Sequence, residues 1–457
     1  MKGYITNNQI DYILYHLSLT FELNEEITRF FLFAKGKSPS STQVTNKIIF
    51  NLSSEEFDIN KVSWINEIPV LFPLSENKNF YSLSKGNLIF HHDLIKSCFY
   101  LLSGYQEFDS KNLDDYGRFK YKNSIQQRLG IIKKPIVNYY FKIIESAISD
   151  FLKFNDIKIK NKELFKPFAF FLTHDIDSVD YYTFNHLLYK IKEITGLVKT
   201  YYNFKTNLKH LLKTFFELLK FSGKENPAWN FEYLRSVEIQ NNFRSSFYFL
   251  EKDKKHHDSN YCFSELRMKS LYDHLINENC EIGLHGTVGS VDNYNKLKKT
   301  LDSLNKVLPG NVFGVRQHRL LHRLPLTAII QQKAGLKYDT SLSFAEHEGF
   351  RNSFCLPFKL YDFKNDRMIN LWEIPLIAMD VTLFHYRQLS TDDALSAVKD
   401  LVNEIKKFNG VFTLLWHNTF FDEDRFPGIK KFYEGLLQYI HSERPQNKLG
   451  YEIINEC

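Results

Sequence analysis

From residue 166 onward, short apolar runs recur between longer amphipathic stretches. The runs span 167–173, 245–250, 281–284, 312–316, 373–377 and 410–416. Their length and apolar content are those of buried strands. Between them, 264–279, 293–308 and 391–408 carry apolar residues at helical spacing. Repeated strand–helix alternation predicts an α/β fold: a (β/α) barrel, or a distorted version of one, over residues 156–457.

Residues 1–155 read as a smaller α/β domain. Strands are predicted at 47–51, 69–73 and 87–90, and helices at about 93–102 and 135–153, while 126–132 reads as a loop or short helix. Residues 10–31 mix helical spacing with a Phe-rich end. Nothing in this part clusters the groups that catalysis needs. His91-His92-Asp93 admits a metal site, but a solvated strand end is the plainer reading.

In a parallel barrel the chemistry sits just after the strands. Here the run 168–172 leads into Thr173-His174-Asp175-Ile176-Asp177, two carboxylates spaced i, i+2. Such a pair can divide the labour, one holding a metal and the other moving a proton. His285 follows 281–284, Arg316 and His318 follow 312–315, and His417 follows Trp416. Asp380 follows another apolar run, where substrate contact and helix capping both fit. A helical insertion is expected near 189–225. It holds Lys190, Lys192, Lys199, Lys205, Lys209, Lys213 and Lys220 among Leu, Phe and Tyr. The plainer reading is a helical excursion whose lysines form its wet face; the alternative is an amphipathic hairpin that docks on a membrane surface or a lipid-linked substrate.

The chain has 457 residues, 43% hydrophobic and 25% charged, which is globular in character. A net charge of +6 on 59 basic and 53 acidic residues does not point to nucleic acid. Five irregularly spaced cysteines, with no CxxC pair, fit a reducing compartment. With no signal-like leader and no long apolar run, the expected location is cytoplasmic, without a membrane span.

With these residues in hand, the stretch from about 167 to 417 resembles the polysaccharide deacetylase (NodB-homology) family. Thr173-His174-Asp175-Ile176-Asp177 is similar to its first motif in an Asp-x-Asp form. Gly283-Leu284-His285-Gly286-Thr287 resembles the start of its second, and Val315-Arg316-Gln317-His318 its arginine motif. Gly335-Leu336-Lys337-Tyr338-Asp339-Thr340-Ser341-Leu342 and Leu415-Trp416-His417 are similar to two further motifs. Through Pro69-Val70-Leu71-Phe72-Pro73, Tyr105-Gln106-Glu107 and Asp115-Tyr116-Gly117-Arg118-Phe119, residues 1–155 resemble an uncharacterised domain that precedes such deacetylases in some bacteria.

The resemblance implies hydrolysis of an N-acetyl group on an amino sugar of a surface glycan or its precursor. It implies a divalent metal, zinc foremost, on Asp177 and His285. Asp175 would be the general base, aligned by Arg316, and His417 would protonate the leaving amine. Trp416 would wall the site and offer a face to a sugar ring. One departure stands out: where the family's second motif has another histidine, this chain has Gly289. His318 is the expected replacement ligand, because i, i+2 residues on extended chain share a side with Arg316. The alternatives are hydrolysis of another non-peptide C–N bond and a non-catalytic glycan binder.

Overall fold

The computed structural model describes residues 2–36, 45–108, 110–155, 157, 162–198, 203–220, 226–253, 258–423 and 426–457. The boundary expected at 155/156 and the lysine at 199 fall at or within the gaps, so they lie outside the described residues.

The N-terminal part has a four-stranded sheet. Strands β1 (Phe31–Lys35) and β2 (Ile48–Leu52) run parallel to β6 (Asn87–Phe90), and β5 (Tyr81–Ser84) closes the edge antiparallel. A separate hairpin joins β3 (Ser63–Ile65) to β4 (Ile68–Val70). Helices Leu94–Leu102 and Ile136–Phe154 bury their apolar faces beneath this sheet.

The larger sheet is curled into an open barrel. Strands β7 (Ala169–Ile176), β8 (Ser245–Leu250), β9 (Glu281–Gly286), β10 (Gly314–Gln317) and β11 (Tyr338–Asp339) lie side by side and parallel. Strand β12 (Phe358–Asp362) is an antiparallel edge on β13 (Arg367–Glu373), which pairs with β11. On the other side of β7 come β15 (Val411–Leu415) and then β14 (Ala378–Met379), with a short β16 (Gln446–Asn447) also against β7. The described ladders do not join β13 to β14, so the barrel has a seam. The strands are buried along almost their whole length, as parallel strands covered by helices must be.

The strand expected at 373–377 is corrected. Strand β13 ends at Glu373 and β14 starts only at Ala378. Pro375 lies in the gap and has no N–H to give a ladder. Strand β12 went unread by the sequence reading; all five of its residues, Phe358–Asp362, are buried.

N-terminal residues fill the seam and cover the edge. Arg351, in the loop across the seam, is held by the Glu107 carboxylate, with Nε to Oε1 at 2.9 Å, and both side chains are buried. Gly349 donates to the Ile377 carbonyl and Phe350 to the Ile132 carbonyl, each at 2.9 Å. At Gly349 the backbone has φ +123°, and a Cβ would come within 2.4 Å of the Ile132 oxygen, so only glycine fits. On the edge strand, the Lys359 N–H donates to His16 Nε2 and the Lys359 carbonyl accepts from Tyr12, both at 2.8 Å. Burial pushes His16 down to about 3, which keeps its Nε2 a neutral acceptor. The N-terminal helix Asn7–Leu17 thus satisfies backbone groups that would otherwise invite foreign strands.

Removing one partner of a buried ion pair strands the other charge. Glu107→Ala is therefore expected to cost about 3–5 kcal/mol of stability. It should lower one shared melting transition of the whole chain, read by differential scanning calorimetry. An unchanged midpoint would show that the pair does not tie the two parts together.

Candidate active site

Side chains on a strand alternate between its two faces. On β7 this sends Thr173, Asp175 and then Asp177 toward one side, and His174 toward the other. His174 is fully buried on that other side. Its Nε2 meets Glu238 at 2.6 Å and its Nδ1 the Trp416 carbonyl at 2.7 Å, so it braces the β7–β15 pair.

At the C-terminal rim of the barrel, Asp177, His285 and His318 converge. Their three nearest ligand atoms all lie within 4.8 Å of one another. His285 Nε2 is 3.3 Å and His318 Nε2 3.8 Å from Asp177 Oδ1. Tetrahedral ligands on bonds of about 2.1 Å stand about 3.4 Å apart, so the spacing suits one ion. The chemistry of the donors agrees. Asp177 Oδ1 is buried and has no hydrogen-bond partner, which is costly unless a cation meets it. Each imidazole is fixed through its other nitrogen. His285 Nδ1 lies 2.9 Å from the Arg316 carbonyl, and His318 Nδ1 3.2 Å from the Asp258 carboxylate. Anchoring one ring nitrogen and leaving the other to face inward is how proteins orient metal-binding histidines.

The electrostatics point the same way. Burial alone would raise the Asp177 carboxyl, but the imidazoles of His318, His285 and His417 outweigh it and hold the group well below the usual carboxylate range. Burial works against charge on His285, yet Asp175 and Asp177 raise its pKa above the ordinary value.

Arg316 is buried, and its guanidinium makes four hydrogen bonds. It reaches Thr173 Oγ1 at 2.9 Å, Asp175 Oδ1 at 3.0 Å, and the carbonyl and hydroxyl of Thr340 at 2.8 and 3.1 Å. That holds one oxygen of Asp175 and leaves Oδ2 toward the cluster, 3.7 Å from His285 Nε2. The 335–342 segment supports this from behind. Ser341 accepts from the Gln317 N–H at 2.8 Å and is itself held by Asp339.

His417 faces the cluster from the opposite side, its Nε2 4.0 Å from Asp177 Oδ2. Asp380 grips it twice: Oδ1 lies 2.7 Å from Nδ1, and Oδ2 accepts from the His417 N–H at 2.6 Å. Burial opposes charge on this imidazole, but Asp380 and then Asp177 and Asp175 push it up to about 10.

Two expected substrate contacts are placed elsewhere. Trp416 is fully buried and packs among Phe384, Phe432 and Tyr433, so its ring offers no face to the cleft. It neighbours His417 on extended chain, and the two point to opposite sides. Asp380 is also fully buried and acts on His417 rather than on a ligand. At Gly289 a Cβ would meet the far end of the flexible Lys296 side chain, which can move aside, so crowding does not account for the missing histidine.

Other groups were given no role in the site by the sequence reading. The cleft, about 250 Å³, is also lined by Tyr116 and Arg118 from the N-terminal part and by Arg319. The exposed Tyr116 ring lies between the Arg118 and Arg319 guanidinium groups, at 5.1 and 4.9 Å. Leu320, Met379 and Leu415 form a small apolar patch in the cleft beside His417. Asp258 had a signal in the sequence, as an acid in the loop after strand β8, but it lies several residues past the strand end.

Comparison with known proteins is sparse. Residues 4–153 match a family model described as a family of unknown function (DUF7033). No curated protein matches the chain. Among solved structures, one from Mycobacterium smegmatis described as a polysaccharide deacetylase is 14% identical, over 63% of this chain and 88% of that one, with a TM-score of 0.40. The catalytic domain of a peptidoglycan N-acetylglucosamine deacetylase from Eubacterium rectale is 9% identical, over 62% and 86%, with a TM-score of 0.29. A CE4 family pseudoenzyme from Bacillus anthracis is 12% identical, over 63% and 66%, with a TM-score of 0.30. All three are remote likenesses.

Elemental analysis of purified protein is expected to find near-stoichiometric divalent metal, lost in Asp177→Ala and in His318→Ala. Asp258→Asn should retain the fold but weaken metal affinity by about 10- to 100-fold, as loss of a partner to a ligating imidazole does. Full metal content in His318→Ala would remove His318 from the site.

Proposed function

We propose that this chain is a metal-dependent hydrolase that removes an N-acetyl group from an amino sugar of a surface glycan or its precursor. The observation that carries the reading is the flanking of Asp177, His285 and His318 by two differently prepared groups. Asp175 is clamped by Arg316 on one side, and His417 is gripped by Asp380 on the other.

A bound divalent ion, with zinc favoured by the mixed imidazole and carboxylate donors, would polarise the amide carbonyl and lower the pKa of a water beside it. The chain's own groups supply the proton movements. Asp175 has one oxygen engaged by Arg316 and the other facing the cluster, so it can take a proton from the attacking water. His417, kept charged by Asp380, can give a proton to the nitrogen of the departing amine. An amine must be protonated to leave, so a histidine held in its acid form suits amide cleavage better than a neutral one. The apolar patch of Leu320, Met379 and Leu415 fits the methyl end of a short acyl group. Tyr116, half exposed at the mouth beside the Arg118 and Arg319 guanidinium groups, can meet a sugar by its edge and hydroxyl.

The test is acetate release from N-acetylated amino sugars by zinc- or cobalt-loaded protein. His417→Ala and Asp175→Asn are each expected to lower kcat by about 10²- to 10⁴-fold while metal content stays at the wild-type level. Asp380→Asn should lower kcat with metal content and KM retained, because it orients the acid and touches neither ion nor sugar. Metal-loaded protein that releases no acetate from monomeric, nucleotide-linked or polymeric N-acetyl amino sugars would overturn the reading.

A further inference from the structure

The helices Phe184–Ile194 and Phe204–Leu219 pack against each other as a hairpin that follows β7, close after Asp177. Their polarity is inverted. The residues they bury are Lys190 and Glu193, joined at 2.7 Å, and Asn207, His210, Thr214 and Glu217. The residues they leave exposed include Phe184 at 65%, Leu188, Phe204 at 63%, Leu212, Phe216 at 60% and Leu219. A hairpin in water would do the reverse, because each large side chain left outside forgoes its burial free energy. An apolar patch of this extent on a soluble surface marks a place where something else binds.

Charge says what kind of surface it meets. Residues 184–220 hold seven lysines and two glutamates, an excess of five in a chain whose net charge is +6. Lys192, Lys205, Lys209 and Lys220 are exposed beside the apolar face. Apolar side chains flanked by lysines match the acyl boundary and headgroups of an anionic bilayer. No helix among the described residues is long and apolar enough to cross a membrane, so contact of this kind is with the surface.

We infer that this hairpin docks the protein on an anionic lipid surface, with Phe204, Leu212 and Phe216 entering the interface and the exposed lysines meeting the headgroups. The root of the hairpin gives the docking a consequence. Thr183 and Asn185 line one groove with Asp177, His318 and Arg319, so the cleft opens next to the docked face. Resting on the function proposed above, the favoured substrate is then an amino sugar held at a membrane by a lipid anchor.

The experiment is vesicle flotation of the full-length chain, which needs no activity. Vesicles of phosphatidylcholine alone are compared with vesicles that also contain phosphatidylglycerol. The protein is expected to float with the anionic vesicles and to be released by salt. The triple variant Phe204→Ser, Leu212→Ser, Phe216→Ser should bind more than about tenfold more weakly, with unchanged melting midpoint and metal content. Lys192→Glu with Lys205→Glu should lose the anionic preference. Failure of the wild type to float, or equal flotation of the triple variant, would overturn the inference. So would sedimentation showing a dimer that the triple variant dissolves, because the face would then belong to a second copy. If the wild type floats but releases no acetate, the docking stands and the proposed function falls.

Discussion

The buried guanidinium of Arg316 is the constraint around which the rim of the barrel is built. A charge removed from water must be paired and fully hydrogen-bonded. Arg316 meets that demand with Asp175 and Thr173 on β7 and with both oxygens of Thr340 after β11. It therefore ties together strands that are not neighbours in the sheet. Its own carbonyl fixes His285. One residue thus sets the direction of the proposed base and of one proposed ligand. The Tyr248 ring, 4.8 Å from the guanidinium, seals it below. Loosening Arg316 would release Asp175 and His285 together, which makes base and ligand a single mechanical unit.

Much of this rim was legible in the chain. The sequence reading looked to the strand ends of a parallel barrel, and Asp175, Asp177, His285, Arg316, His318 and His417 do stand together at that rim. His318 could be nominated as a ligand because an i, i+2 relation survives the turn that follows β10. The same rule, applied at Trp416, would have placed its ring away from the cleft once His417 was placed in it. What was not legible comes from distant parts of the chain. Asp380 grips His417 across β14 and β15, and no spacing encodes that pairing. Asp258 reaches His318 from a loop, and Tyr116 reaches the cleft from the N-terminal part. Such contacts depend on how elements pack, and a single sequence states only local preferences.

The seam explains why the N-terminal part is more than an attachment. A curled sheet whose described strands β13 and β14 do not pair with each other leaves backbone groups that must be satisfied. Residues 343–354 cross the gap, and Ile132 and Glu107 complete it from the N-terminal side. The same part then sends Tyr116 and Arg118 to the mouth of the cleft. Arg118 is held by Asp114 at 2.7 Å and donates to the Arg319 carbonyl at 3.1 Å. Arg319 and Leu320 both have positive φ, 63° and 55°, a conformation unfavourable for such side chains and kept only where the surroundings impose it. The contact with Arg118 is one of those surroundings. The N-terminal part therefore shapes the rim as well as stabilising the sheet.

The mouth of the cleft is bounded by two additions to the barrel, and they differ in kind. On one side the N-terminal loop presents a ring between two guanidinium groups, a surface suited to a polar, flat or anionic ligand in water. On the other the hairpin after Asp177 presents exposed Phe and Leu over a polar seam, a surface unsuited to water. A free sugar needs only the first. A substrate with a polar head and an apolar tail matches both at once, with the head reaching Asp177, His285 and His318 and the tail staying beside the hairpin. The asymmetry of the two rims is thus itself an argument about the shape of the proposed substrate, and it is independent of any ion at Asp177, His285 and His318.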